Sequence, residues 1–200
     1  MTQEGIQGVN AARIALPPPT PGRQRRGLED RLAVRFPAGL RLLTRTTMRL
    51  SPRSRPRRVL LARRIVQTYA AVNRRDFDVI LAGFDPAIEY RPSIELMPPD
   101  LGTISHGHDG FRQLWRYWMD AFPDLRWDPE EILDFGDRIL VTARQSGRGS
   151  GSGVAVSVSV FQLFTVREGL VTRQEDFLER SQALDAAGLP RETAERLEAL

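Results

Sequence analysis

The stretch that decides the fold is Glu131-Ile132-Leu133-Asp134-Phe135-Gly136-Asp137-Arg138-Ile139-Leu140-Val141. Two short runs of apolar and β-branched residues flank Gly136-Asp137, a dipeptide suited to a tight hairpin. Working outward, Arg126 to Phe135, Arg138 to Ser146, Val154 to Val166 and Leu170 to Phe177 read as four strands. The Gly/Ser loop 147–153 and Arg167-Glu168-Gly169 supply the other short connections. Such connections make antiparallel neighbours.

Before Pro123 the period of the pattern is helical. Leu61, Ile65, Tyr69 and Val72 share one face of a helix over Val59 to Arg75, and Asp76 reads as the N-cap of a shorter helix, Phe77 to Gly83. Ala87 to Arg91 alternates as a strand and stops at Pro92, and a loop with Pro98, Pro99, Gly102 and Gly107 follows. Asp109 is placed to cap a third helix, which carries Phe111, Leu114, Trp115, Trp118 and Phe122 on a broad apolar face. Ser181 to Ala187 reads as a closing helical turn with Gly188 as its cap, and Arg191 to Leu200 as a helical tail over 190–200. Helices followed by a run of strands make the α+β class, in which helices cover one face of a curved sheet.

Residues 1–58 differ in kind. They hold 13 Arg against Glu4, Glu29 and Asp30, a net of +10, whereas residues 59–200 are net −6. Rich in Arg, Pro and Gly, this segment reads as a disordered extension, or as sequence ahead of a start at Met48, with a short helix compatible over Leu28 to Leu43. The domain proper is therefore expected over 59–189. Clustered Arg makes nucleic acid an alternative partner of residues 13–58, but the arm has no interleaved aromatics and no recognition helix. An Arg-rich organelle transit peptide is the third reading of this arm.

The chain has no Cys, which excludes disulfides, thiolate nucleophiles and Cys-ligated metals. No run approaches the roughly 18 apolar residues of a membrane span, so no membrane partner and a cytoplasmic location are expected. Gly147 to Gly153 resembles a phosphate loop in composition alone, since no Lys follows and the next element is a strand.

Several strings, in order, resemble the SnoaL-like proteins of the nuclear transport factor 2 superfamily. They are Asp85-Pro86 with Ile88-Glu89-Tyr90, Gly107-His108-Asp109-Gly110-Phe111-Arg112 with Trp115 and Trp118, and Phe122-Pro123-Asp124. The stretch quoted above, Val166-Arg167-Glu168-Gly169-Leu170-Val171 and Ala183-Leu184-Asp185-Ala186-Ala187-Gly188-Leu189 complete the set. The resemblance implies a cone-shaped, curved antiparallel or mixed sheet wrapped around the N-terminal helices, a cystatin-like α+β barrel. It also implies a small apolar ligand in the cone and frequent sheet-to-sheet homodimers. Isomerases, polyketide cyclases, dehydratases, epoxide hydrolases and purely binding or dimerising proteins all belong to that superfamily, and fold does not choose among them.

The residues offer few chemical groups. An aromatic-lined pocket is expected from Tyr69, Tyr90, Trp115, Trp118, Phe161 and Phe177. Glu175 is the acid/base candidate on the last strand, on the assumption that its face, shared with Phe177, looks into the pocket. Tyr69 and Tyr90 could donate hydroxyls to an oxyanion, and Arg144 could hold an acidic group by a bidentate contact. His106, His108 and Asp109 suggest metal ligands but lack a further donor, so no metal and no cofactor are expected; His108 remains a candidate proton donor or acceptor at the pocket mouth. The expectation is a domain that binds a small apolar molecule, either as a cofactor-free isomerase, cyclase, dehydratase or hydrolase or as a non-catalytic binding or dimerisation module.

Overall fold

The structure, a computed structural model, describes residues 11–17, 25–93, 104–151 and 153–189. The expected helical tail and most of the loop containing Pro98, Pro99 and Gly102 lie outside these residues, as does Ser152. A strand β1 (Ala12–Ala15) comes first, then helices α1 (Leu28–Arg35), α2 (Pro37–Arg49), α3 (Arg55–Asn73) and α4 (Phe77–Leu81). After these come strands β2 (Phe84–Arg91) and β3 (Ser105–His106), and helix α5 (Gly107–Ala121). The chain continues through β4 (Arg126–Asp134), β5 (Arg138–Arg148), β6 (Ala155–Arg167) and β7 (Leu170–Phe177) to α6 (Arg180–Ala186).

The strands form one curved, unclosed seven-stranded sheet in the order β1-β4-β5-β6-β7-β2-β3. The run quoted at the outset pairs as read, with Leu133 opposite Leu140 and Asp134 opposite Ile139. Among the described strands only β2 and β7 pair in parallel, so the sheet is mixed. Strand alternation sends Ile132, Ile139, Val141, Ala143, Val160 and Phe164 inward against Leu61, Ile65 and Tyr69 of α3 and Phe111, Leu114 and Trp115 of α5. The opposite face carries Leu133, Leu140 and Leu163, covered by Ala183 and Leu184 of α6. Burying each such side chain contributes on the order of 1.5–3 kcal/mol.

The largest correction concerns the expected disordered arm. Among its described residues, β1 pairs antiparallel with β4, with Ile14 opposite Ile132. α1 and α2 form separate helices, broken between Phe36 and Pro37 where the proline ring fixes a new helix start. α3 begins at Arg55 rather than Val59, with Pro56 in its first turn. The arginines are held by acids of the domain. Arg26 grips Asp76 at 2.7 and 2.6 Å and Asp78 at 2.9 Å, Arg74 reaches Asp30 of α1 at 2.9 Å, and Arg63 pairs with Glu29.

Arg57 is the centre of this attachment. It is 1% exposed and all five of its N–H donors are used. Nε and Nη2 take Asp134 at 2.8 and 2.7 Å, Nη1 takes the carbonyls of Met48 and Leu50 at 2.6 and 2.8 Å, and Nη2 also donates to the Gly136 carbonyl. This one side chain ties the end of α2, the start of α3 and the β4–β5 hairpin together. α2 also crosses the β6–β7 turn, where Arg41 donates to the Glu168 carbonyl at 3.0 Å. Gly169 there has φ +83°, and any Cβ would fall 2.2 Å from the Arg41 carbonyl oxygen, so both the turn and the helix above it require glycine.

Candidate active site

Inside the sheet, polar side chains converge at one place. Asp176 of β7 is 7% exposed. Its Oδ2 accepts from the Tyr90 hydroxyl at 2.6 Å, and its Oδ1 accepts from the Gln162 and Gln174 amides at 2.9 and 3.0 Å. Gln162 in turn accepts from the Tyr69 hydroxyl at 2.5 Å. The register explains the gathering, because Gln162 of β6 lies directly across from Asp176, while Tyr90 of β2 lies across from Gln174. Tyr69 descends from α3 onto the same point.

No arginine reaches Asp176 among the described residues, and this sets its chemistry. Burial raises the Asp176 carboxyl to about 6, while the hydrogen bonds from Tyr90, Gln174 and Gln162 hold it back. Burial likewise pushes both phenols well above their usual value, with the charge on Asp176 acting in the same direction. The phenols therefore remain donors while the carboxyl changes protonation near neutral pH.

The surrounding walls are aromatic. Phe84 meets Phe111 edge-on at 5.3 Å, Tyr90 lies 5.4 Å from Phe111, and Phe111, Trp115 and Trp127 follow at 6.0 Å steps. Trp115 Nε1, Trp127 Nε1 and Gln145 Oε1 are buried without a hydrogen-bond partner in the structure. Trp127 and Gln145 sit opposite each other on β4 and β5, so unsatisfied donors and an acceptor share this interior. Buried polar atoms left in that state favour a ligand that pairs with them. A small cavity of about 80 Å3 lies at the other side of Tyr69, between Ile65, Phe84, Ile139, Phe164 and Val171.

Of the residues expected at the pocket, Tyr69, Tyr90 and Trp115 face this interior. Trp118 lies at its margin, stacked on Phe122 at 6.2 Å. The others lie elsewhere. Phe161 and Phe177 pack on the α6 side of the sheet, and Glu175, which alternates with Asp176, goes with them and comes no closer than 4.0 Å to Arg91. The face assigned to Glu175 is thus reversed, and the inward carboxylate of β7 is Asp176. Arg144 is half-exposed on that outer face and bound to Glu130 at 2.8 Å, so it holds nothing in the interior. His108 sets Nε2 3.2 Å from the Phe84 carbonyl oxygen, anchoring α5 to β2. His106, not Asp109, occupies the N-cap of α5. Among the described residues no cluster of three His, Asp or Glu is arranged to hold a metal, and no helix is long and apolar enough to cross a membrane.

One signal could have pointed to the site. Gln162 interrupts the apolar run Val160-Phe161-Gln162-Leu163-Phe164, and an amide there needs a buried polar partner. The missed residues Asp176 and Gln174 follow from that strand's register against β7, whereas Trp127 lies two strands away, across from Gln145.

The family model of the SnoaL-like domain matches residues 65–174. No curated protein matches the chain. Among solved structures it is similar to TerC co-crystallised with polyporic acid, at 24% identity and a TM-score of 0.53 over 64% of this chain and 97% of that one. An NTF2-like protein of unknown function from Burkholderia pseudomallei K96243 aligns at 22% identity and a TM-score of 0.54, covering 64% and 94% of the two chains. A protein of ketosteroid isomerase-like fold from Catenulispora acidiphila, in complex with trimethylamine, aligns at 17% identity and 0.50 over 66% and 95%.

Proposed function

We propose, for a chain that belongs to the SnoaL-like domain family, that its interior performs cofactor-free proton transfer on a small apolar carbonyl compound. In this reading Asp176 is the acid/base, and Tyr90 and Gln162 hold its carboxyl in place. The observation that carries it is a buried carboxyl with only neutral partners, raised to about 6, where a group can both take and return a proton near neutral pH. The unpaired indole N–H groups of Trp115 and Trp127 are suited to the carbonyl oxygen as negative charge develops on it. TerC, with polyporic acid bound in a crystal, is a precedent for a small organic ligand on this fold. The space beside Asp176 is packed with the rings of Tyr90, Phe111, Trp115 and Trp127, so a ring-sized substrate must displace aromatic side chains on entry.

The alternative is a non-catalytic binding or dimerisation module. What favours it is that every oxygen of Asp176 already has a donor within the chain. Hydrogen–deuterium exchange of 1-tetralone in D2O, followed by NMR, separates the two. The Asp176 carboxylate takes the α-proton, leaving the enolate, and a deuteron returns to the same carbon. The wild type should exceed buffer, and Asp176→Asn should lower the exchange about a hundredfold or more. Exchange at the buffer rate in the wild type, or equal rates in both proteins, leaves the binding module as the reading.

A further inference from the structure

Away from Asp176, α1 and α2 stand beside the flank of α3 and leave a groove of about 460 Å3, a volume ordinary for small-molecule sites of about 300–1,000 Å3. The groove is apolar where it opens. Leu32, Phe36, Leu43 and Leu60 line it while remaining 48%, 56%, 54% and 37% exposed. Four apolar side chains gathered in one concave place gain by being covered. Ion pairs such as Arg26–Asp76 and Arg74–Asp30 hold the flanking helices in place, which leaves these apolar residues unburied.

Arg64 lies deeper, where it lines both this groove and the small cavity that ends at Tyr69. Its guanidinium rests over Gly83, where any Cβ would come within 2.8 Å of Nη2. The acids around it are committed elsewhere. Glu29 pairs with Arg63, and Asp30 takes Arg74 at 2.9 Å and the Gly27 amide at 2.9 Å. Among the described residues the Arg64 guanidinium makes no hydrogen bond or ion pair, although burial pulls its pKa down and the field of Asp30 only partly offsets this. Arg64 is part-buried, and a guanidinium with five unused donors facing a groove suits a planar anion. Because Arg63 is already neutralised by Glu29, the groove offers one unmatched positive charge, which suits a monoanion better than a phosphate.

We propose that this groove binds a monocarboxylate with an apolar tail, its carboxylate bidentate on Arg64 and its tail along Leu32, Phe36, Leu43 and Leu60. The site is independent of proton transfer at Asp176. Calorimetric titration of the full chain with dodecanoate and dodecan-1-ol, both below micelle-forming concentrations, tests it. Dodecanoate should bind about tenfold tighter than the alcohol, the ordinary gain from charge-assisted hydrogen bonds. Arg64→Gln should erase that preference while dodecan-1-ol still binds, and Arg64→Lys should keep part of it. Leu43→Glu, an exposed change that tests the groove if Arg64→Gln fails to fold, should weaken both ligands and leave 1-tetralone exchange unaltered. Asp176→Asn should leave dodecanoate binding as it is, so failure of the catalytic reading stays separate. Equal binding of acid and alcohol overturns the proposal, as does a preference that survives in Arg64→Gln. So does a dimer, seen by light scattering, that Leu43→Glu dissolves and dodecanoate does not disturb, since the groove would then belong to a second copy of the chain.

Discussion

Asp134 and Asp176 are both buried, at 0% and 7% exposure, but their surroundings differ in kind. Asp134 faces the guanidinium of Arg57 through two hydrogen bonds and accepts a third from the Gly136 amide at 3.0 Å. Asp176 faces a phenol and two carboxamides and no cation. The first site is charge-neutral as a pair, and its role is to fasten three segments of chain. The second holds a carboxyl whose charge nothing opposite cancels. Burial alone does not make an acid reactive; burial without a counter-ion does.

The strongest way to break this contrast is at Arg57. Arg57→Met should cost about 3–5 kcal/mol in urea unfolding, because Asp134 is left as an uncompensated buried charge. The double variant Arg57→Met/Asp134→Leu should recover most of that loss. If the single variant is nearly neutral, Asp134 is no better compensated than Asp176 and the comparison fails.

Titration sharpens the other side. The folded Asp176 carboxyl sits at about 6 against an ordinary 3.8, so the folded state binds the proton more tightly than the unfolded chain. Its contribution to stability is therefore full below about 3.8 and is lost as pH rises through about 6, a total of about 3 kcal/mol. Urea unfolding from pH 4 to 7.5 should show this decline in the wild type, and Asp176→Asn should remove it. Tyr90→Phe comes next in size. Loss of the donor to Oδ2 should cost about 1–3 kcal/mol and move the Asp176 carboxyl midpoint, read from its 13C shift, to higher pH. Glu175→Gln and Arg144→Gln, both on the outer face, should change stability by no more than about 0.5 kcal/mol and leave the titration alone.

The strands were legible where polarity alternates or runs are apolar, as in Ile132 to Val141, and so was the inner face of α3 at Leu61, Ile65 and Tyr69. β7 was legible as a strand but not in its facing. Arg173-Gln174-Glu175-Asp176 is polar at every position, so hydropathy gives no parity, and an interior lined by polar groups reverses the usual cue. Residues 11–58 failed for another reason. Leu28, Leu42 and Leu43 stay exposed in α1 and α2, leaving no clean apolar stripe, and the anchors Arg26–Asp76, Arg63–Glu29 and Arg57–Asp134 join residues 34 to 77 positions apart. Arg57 in particular looks like one more arginine in a basic run until its partner is known.

The pairing of β1 with β4 sets a schedule on the making of this protein. Ile14 has its place opposite Ile132, and a ribosome adding about 5–20 residues per second needs on the order of 6–24 seconds to supply that partner. Through that interval the short edge segment has its hydrogen-bonding groups open to other chains. Its alternate residues Arg13 and Ala15 leave only Ile14 as a large apolar side chain, so it waits as a weakly adhesive strand until β4 has been made.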